Sequence, residues 1–215
     1  MIIGLLLAPM MSQAQSKQMV TTEKDTTATL RGFQLMADLV GMAQLAVSDY
    51  GQYEAGLRVN IKDKYFPVVE LGYGKADTHN DITQTEYSTS APYGKIGIDF
   101  NVLKNKHDIY KVYAGARLAY TAFKFDVAHP DVTDPVWGST TPYGGTDIKA
   151  HYGWIEAVFG VDAKIVGPLH LGWSVRYKRR MSHKVDDMGN CWYVPGYGKQ
   201  GSNLITGTFN IMINI

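Results

Sequence analysis

From Gly32 to Ile215, apolar and polar side chains alternate with a period of two in segment after segment. That period belongs to strands with one apolar and one polar face, not to helices. The last segment shows it most plainly. Ile205, Phe209, Ile211, Ile213 and Ile215 share one face, and Thr206, Thr208, Asn210 and Asn214 share the other. Residues 169–178 set Leu169, Leu171, Trp173, Val175 and Tyr177 against His170, Ser174, Arg176 and Lys178. Residues 111–121 set Val112, Ala114, Ala116, Leu118 and Tyr120 against Lys111, Tyr113, Arg117 and Thr121. The same pattern predicts strands near 33–44, 51–61, 65–75, 92–103 and 151–163, which makes eight in all. Each has the length of roughly ten residues that a tilted strand needs to cross a bilayer.

The connections alternate as well. Those after the second, fourth and sixth strands are short: Lys62-Asp63-Lys64, Lys104 to Asp108, and Lys164 to Pro168. Those after the third, fifth and seventh are long and polar, near 76–91, 126–150 and 181–202. In an up-and-down barrel, odd and even connections emerge at opposite ends. Long extracellular loops facing short periplasmic turns are the outer-membrane pattern. The expected fold is therefore all-β, an eight-stranded antiparallel up-and-down transmembrane β-barrel. The expected location is the cell outer membrane.

Alternation alone does not say which face looks outward, and a secreted lipocalin-like barrel would reverse it. Two features favour lipid on the apolar side. Apolar-phase tyrosines sit at strand ends, Tyr53, Tyr73, Tyr120 and Tyr177 at one level and Tyr65 and Tyr110 at the other. Such rings form aromatic girdles at membrane interfaces. The other face carries Asp38, Glu54, Glu70, Asp99, Glu156 and Asp162 against Arg58, Lys95, Lys111, Arg117, Arg176 and Lys178. Folding each hairpin about its turn brings Arg58 near Glu70, Glu156 near Arg176 and Lys178, and Asp162 near His170. An interior only wide enough for its side chains, filled this way, is plugged and disfavours a diffusion porin.

Residues Ile2 to Met11 form a ten-residue apolar run ahead of Ser12-Gln13-Ala14. The run is too short to span a bilayer. With its small-x-small sequence it reads as a signal peptide over 1–14, cut after Ala14. Residues 15–31 are polar and aperiodic, expected to be a flexible periplasmic N-terminus, and 32–215 the barrel domain. The 21 basic and 20 acidic residues give a net charge of +1, which offers nucleic acid nothing. A lone cysteine, Cys191, has no intramolecular partner.

Together these features resemble the small outer-membrane barrels typified by the OmpA membrane domain and OmpX. The ending SNLITGTFNIMINI is similar to the last strand read by the outer-membrane assembly machinery, although it closes on Ile215 instead of an aromatic residue. That ending, the QAQ cleavage region and GNCWYVPGYGK look like a barrel family of Bacteroidota outer membranes. The resemblance implies no catalytic residues.

Three constellations remain as candidate chemistry. Asp77-Thr78-His79-Asn80-Asp81 alternates possible metal ligands but lacks the glycine and terminal glutamate of an EF-hand. Ser182, His183, Asp186 and Asp187 near the outer rim could serve a lipid A-modifying enzyme, although neighbouring Ser and His in a strand point apart. Trp137, Tyr143, Trp192, Tyr193 and Tyr197 could form a binding surface or pack down as a cap. The expectation is a non-enzymatic barrel without metal or cofactor. Its loops bind a partner or shield the surface, and it stands alone or serves a larger outer-membrane assembly. Its partners are membrane lipid, lipopolysaccharide and possible neighbouring outer-membrane proteins.

Overall fold

The computed structural model describes residues 29–185 and 191–215. The expected signal peptide over 1–14, and all but the last residues of the stretch 15–31, lie outside the described residues. Eight strands form the barrel: β1 (Leu30–Asp38), β2 (Tyr50–Ile61), β3 (Tyr65–Asn80), β4 (Thr85–Asn101), β5 (Tyr110–Thr133), β6 (Thr140–Val166), β7 (Leu169–Val185) and β10 (Asn203–Asn214). All neighbours are antiparallel, and β1 closes on β10. Between them come a helix, α1 (Leu39–Val47), and a small hairpin of β8 (Tyr193–Val194) and β9 (Gly198–Lys199).

The wall is inside-out relative to a soluble barrel. Outward from β5 stand Tyr110, Val112, Ala114, Ala116, Leu118 and Tyr120, while Tyr113, Arg117, Ala119 and Thr121 are buried in the lumen. Every lane repeats this, and between the two girdles no outward position holds a charged side chain. Leu71, Ile96, Leu118, Phe159, Trp173 and Val175 are all more than half exposed, while Arg117, Glu156 and Asp99 are almost fully buried. Only a surrounding apolar solvent makes that partition favourable. From Tyr110 to Tyr120 the band is roughly 25 Å tall at the usual strand rise and tilt. Lys75, Lys124 and Arg179 are the first charged outward residues beyond the upper tyrosines on their strands. The chain is a transmembrane barrel.

The girdle tyrosines pair across strands. Tyr53 lies opposite Tyr73, and Tyr65 lies opposite Phe100 with ring centroids 5.7 Å apart, edge to face. At the short-turn end, Lys62 and Asp63 both take positive φ (55° and 54°) at the centre of a turn that Lys64 N closes on Ile61 O at 3.1 Å. The Asp63 carboxylate collects Arg31, Asn60 Nδ2 (2.7 Å), His107 Nδ1 (2.7 Å) and Lys111 Nζ (3.5 Å), tying the β2–β3 and β4–β5 turns to the start of β1.

Three expectations are corrected. The first strand does not run to residue 44: it begins at Leu30, ends at Asp38, and the chain turns into α1. Asp38 causes this by capping the helix, accepting from Val40 N and Gly41 N at 3.1 Å each. Leu39, Met42 and Leu45 then recur at helical spacing. Second, the long loops near 76–91 and 126–150 are mostly strand. The β3–β4 hairpin continues to Asn80 and Thr85, and the β5–β6 hairpin to Thr133 and Thr140. They rise as ribbons above the membrane band. Third, part of the segment 181–202 extends β7 to Val185, and β8 and β9 fold back over the mouth.

Asp38 also accepts from Phe209 N at 3.3 Å, so one carboxylate joins α1 to β10 where β1 stops. Asp38→Ala is expected to lower unfolding free energy by about 1–2 kcal/mol, read as a shifted urea midpoint in lipid vesicles. An unchanged midpoint would show that the cap carries no stability.

Candidate functional site

The lumen is filled in layers. In the middle, Glu54 accepts from Lys95 Nζ (2.8 Å), the Tyr93 hydroxyl (2.7 Å) and Arg176 Nη1 (3.1 Å). Glu70 accepts from both terminal nitrogens of Arg176 (2.8 and 3.2 Å) and from Arg117 Nε (3.3 Å). Glu156 takes Lys95 (3.1 Å), Arg176 (3.4 Å) and the Trp154 indole N–H (2.8 Å), with Lys178 at 3.9 Å. Below lies Asp99, held by Arg117 (2.6 and 3.0 Å) and Arg58 (2.8 Å). Asp162 accepts from Gln34 Nε2 (3.0 Å) and His170 Nδ1 (2.7 Å). The Asn214 side-chain amide lies 2.8 Å from His170 Nε2 on the ring's other side.

Five cations thus face five carboxylates in the lumen, counting Arg58, Lys95, Arg117, Arg176 and Lys178 against Glu54, Glu70, Asp99, Glu156 and Asp162. The sixth base of the sequence pattern, Lys111, reaches Asp63 at the short-turn end instead. The sixth acid, Asp38, is the helix cap. Arg58 does not meet Glu70: it lies opposite Val68 in the ladder and extends to Asp99 on β4 and over the Tyr113 ring (4.4 Å). Glu70 is claimed by Arg117 and Arg176 from elsewhere in the ring. Sequence reasoning missed Tyr93, Trp154 and Gln34 as network members. Gly72 signals Tyr93 only in hindsight, since a Cβ there would sit 2.3 Å from the ring's Cζ.

Above the charges sits an aromatic cap. Tyr193 and Tyr197 are buried with Tyr87, Tyr152, Trp154 and Phe125. The Tyr193 hydroxyl donates to Gly51 O (3.1 Å), and Tyr152 and Tyr197 both donate to Gly201 O (2.7 and 3.1 Å). Lys178 Nζ donates to Gly196 O (2.8 Å) and Tyr197 O (3.0 Å), fastening the β8–β9 hairpin to the lumen. Of the five loop aromatics, Tyr193 and Tyr197 are cap, Trp192 is at its margin, and Trp137 (83% exposed) and Tyr143 (52%) face solvent. Cys191 is buried in the same cap, where burial pushes its thiol up to about 11; it is a resting thiol.

The other candidates do not converge. Ser182 lies opposite Gly153 and His183 opposite Tyr152, on opposite faces of the ribbon. His183 stands edge-on to Tyr152 at 6.0 Å, and Asp186 and Asp187 lie outside the described residues. In the ribbon above β3, His79 is 3.4 Å from Asp81 and 3.5 Å from Glu86. Among the described residues no group of three or more His, Cys, Asp or Glu side chains is arranged to hold a metal ion.

Residues 1–214 match the family model described as "Domain of unknown function (DUF6048)". No curated protein matches the chain in sequence. Among solved structures it is similar to Neisserial surface protein A, at 14% identity over 87% of this chain and 100% of that one, with a TM-score of 0.46. A major outer membrane protein from Thermus thermophilus is 12% identical over 86% and 98%, with a TM-score of 0.45. CarO2 of Acinetobacter baumannii is 12% identical over 88% and 100%, with a TM-score of 0.37.

Two measurements probe these clusters. Arg117→Met leaves Asp99 with Arg58 and Glu70 with Arg176 as their remaining cations and is expected to cost about 3 kcal/mol of unfolding free energy, the low end for a broken buried pair. Adding Asp99→Asn should recover part of it. No loss in Arg117→Met would mean that water already reaches these carboxylates. At the short-turn end, burial works to raise the Asp63 carboxyl, but Asn60, His107, Lys111 and Arg31 outweigh it and hold the group below the usual carboxylate range. A depressed folded-state pKa stabilises the fold above the unfolded value, and the benefit disappears as pH falls through the folded one. The wild-type advantage over Asp63→Asn should therefore be flat above about pH 5 and shrink from about pH 4 downward. A gap that stays constant in urea melts across that window would overturn the assignment.

Proposed function

The chain belongs to the DUF6048 family, and we propose that it is an outer-membrane barrel with a plugged lumen that acts by contact at its outer end. Closed barrels with short turns at one end and tall structures at the other belong to outer membranes, with the tall end outside. The observation that carries the reading is the lumen itself. Its acids and bases share contacts in one network across the ring, and the β8–β9 hairpin lies over them. A pore has no room to open without breaking several buried pairs at once.

What remains available is the outside. The β5–β6 ribbon rises beyond Tyr120 by roughly 40 Å of strand and ends on Val136 and Trp137, both about four-fifths exposed. The β3–β4 ribbon ends near Ile82, which is 94% exposed. Between them lies a groove of ≈ 590 Å³ lined in part by Ile82, Tyr143 and Trp192. Exposed apolar and aromatic groups on a rigid ribbon suit partner binding, and the ribbons also shield the surface around the barrel. Lipid, lipopolysaccharide and neighbouring outer-membrane proteins are the partners such a surface meets. Kinship with OmpA and OmpX and a Bacteroidota source rest on the sequence resemblance. A signal peptide over 1–14 supplies the route of export.

The reading makes the protein electrically silent. In planar bilayers the folded chain should show no conductance above background. A variant with residues 130–143 replaced by a two-residue turn should still fold and insert, but lose retention of any extracellular partner recovered by gentle detergent extraction. A steady wild-type conductance would overturn the plugged-barrel reading, and a partner retained by the shortened variant would overturn the assignment of contact to the ribbon.

A further inference from the structure

Where β1 stops, the wall is incomplete. β10 pairs with β7 along Asn203–Ile213, but with β1 only from Asn210 to Asn214. Odd-numbered residues of β10 direct their main-chain groups toward β1. Ile215 exchanges hydrogen bonds with Phe33 at 3.0 and 2.8 Å, and Phe209 N meets the Asp38 carboxylate. The same alternation aims the main chain of Gly207 and Ile205 at α1, not at a strand. Between α1 and β10 lies a cavity of ≈ 470 Å³.

Its lining crosses the barrel wall. Trp173 and Ile205 belong to the exposed, lipid-side face and are 66% and 70% exposed. Thr206, Lys178 and Lys199 belong to the lumen side or its rim. Ile205 lies opposite Tyr177, so the opening is level with the upper tyrosines, in the outer leaflet. The Thr206 hydroxyl oxygen is buried without a hydrogen-bond partner. Lys178 donates only to carbonyls, with its nearest carboxylate 3.9 Å away. Lys199 lies over the rings of Tyr50 and Trp192 at 5.4 Å each, with no carboxylate in contact among the described residues. The one acid lining the cavity, Asp38, is occupied by three backbone N–H groups.

We propose that this cleft between α1 and β10 is a lateral binding site for an acidic single-chain amphiphile entering from the outer leaflet. The chain lies along Trp173, Ile205 and Gly207. The carboxylate head reaches inward to Thr206 and the Lys199 and Lys178 ammonium groups. An apolar wall and a polar inner end are what such a ligand needs, because its head stays hydrogen-bonded while its tail never meets water. The open edge of β10 faces α1 and the polar inner side of the cavity, and an unpaired edge is tolerated at membrane depth where it borders protein or a hydrated cavity. The α1 segment LVGMAQLAV carries no charge, as a helix bordering lipid requires. The inference rests on the membrane-barrel reading and adds a ligand to it.

The test uses the full chain in phosphatidylcholine vesicles with a photoactivatable long-chain fatty acid and, separately, its methyl ester. After illumination, adducts are mapped by peptide mass spectrometry. Adducts on the belt, such as at Leu118, report insertion alone; adducts on Thr206 or Gln44 report the cleft. Wild type should give both, with cleft labelling by the acid about tenfold above that by the ester. Lys199→Gln should narrow that difference. A Cβ at Gly207 meets nothing nearer than Ser174 O at 4.0 Å, so Gly207→Phe fits the strand and fills the cleft. It should abolish cleft adducts and leave belt adducts unchanged. Belt adducts without cleft adducts, or cleft labelling indifferent to Gly207→Phe or to the head charge, would overturn the site. Loss of belt adducts in wild type would instead overturn the membrane-barrel reading.

Discussion

Hydrocarbon offers no hydrogen bond, and the rest of this molecule follows from that. A strand in lipid must give each N–H and C=O a partner, so the sheet closes and β1 meets β10. The side of each strand that touches lipid must carry no charge, and from Tyr110 to Tyr120 it carries none. Polar side chains are then confined to a lumen too narrow for bulk water. An unpaired Arg or Glu there would cost several kcal/mol. The lumen therefore cannot hold charges singly: Arg176 contacts Glu54, Glu70 and Glu156 together. The apolar wall and the ion-paired interior are one constraint seen from two sides.

The same constraint made the wall legible in the sequence. Phe209 and Ile211 alternate with Thr208 and Asn210 because lipid and lumen select opposite chemistries, and Met212 departs from the pattern to pack on Met36 and Val68 inside the barrel. Above the membrane the selection stops. The ribbon THNDITQTEYSTS has water around most of its length and turns only Tyr87 into the aromatic cap, so nothing in its hydrophobic period marks it as strand. Backbone pairing holds it as β3 and β4 regardless, with His79 opposite Glu86. The helix α1 was hidden differently. Its Asp38 sits in the polar phase of β1 and looks like one more lumen acid, but its short side chain reaches its own following amides first.

Partner choice inside the lumen was legible only in part, for a geometric reason. Hairpin folding identifies which residues face each other across two strands, and Glu156 and Lys178 do so. In a closed ring of eight, a long side chain also reaches strands beyond its neighbour. Arg176 on β7 contacts Glu54 on β2 and Glu70 on β3. Arg58 passes over Glu70 for Asp99 because Arg117 and Arg176 already fill Glu70. Charge composition foretells a balanced interior; the assignment of pairs depends on the tilt and stagger of the ring.

The two ends of the barrel divide stability from adaptability. At the short-turn end, Asp63 gathers Arg31, Asn60, His107 and Lys111 around one hairpin, so a change in either of the two turns it joins disturbs the other. At the tall end, the ribbons pair their own backbones and leave Ile82, Val136 and Trp137 free of packing partners that would constrain them. Substitutions there do not reach the buried charges, because the cap of Tyr87, Tyr152, Tyr193 and Tyr197 lies between. The outer ribbons can thus change while the lumen stays fixed. The exception is the seam at Asp38, where the cap hairpin, the ion-paired lumen and the lipid face approach one cavity. A ligand at that seam, as proposed, would touch all three.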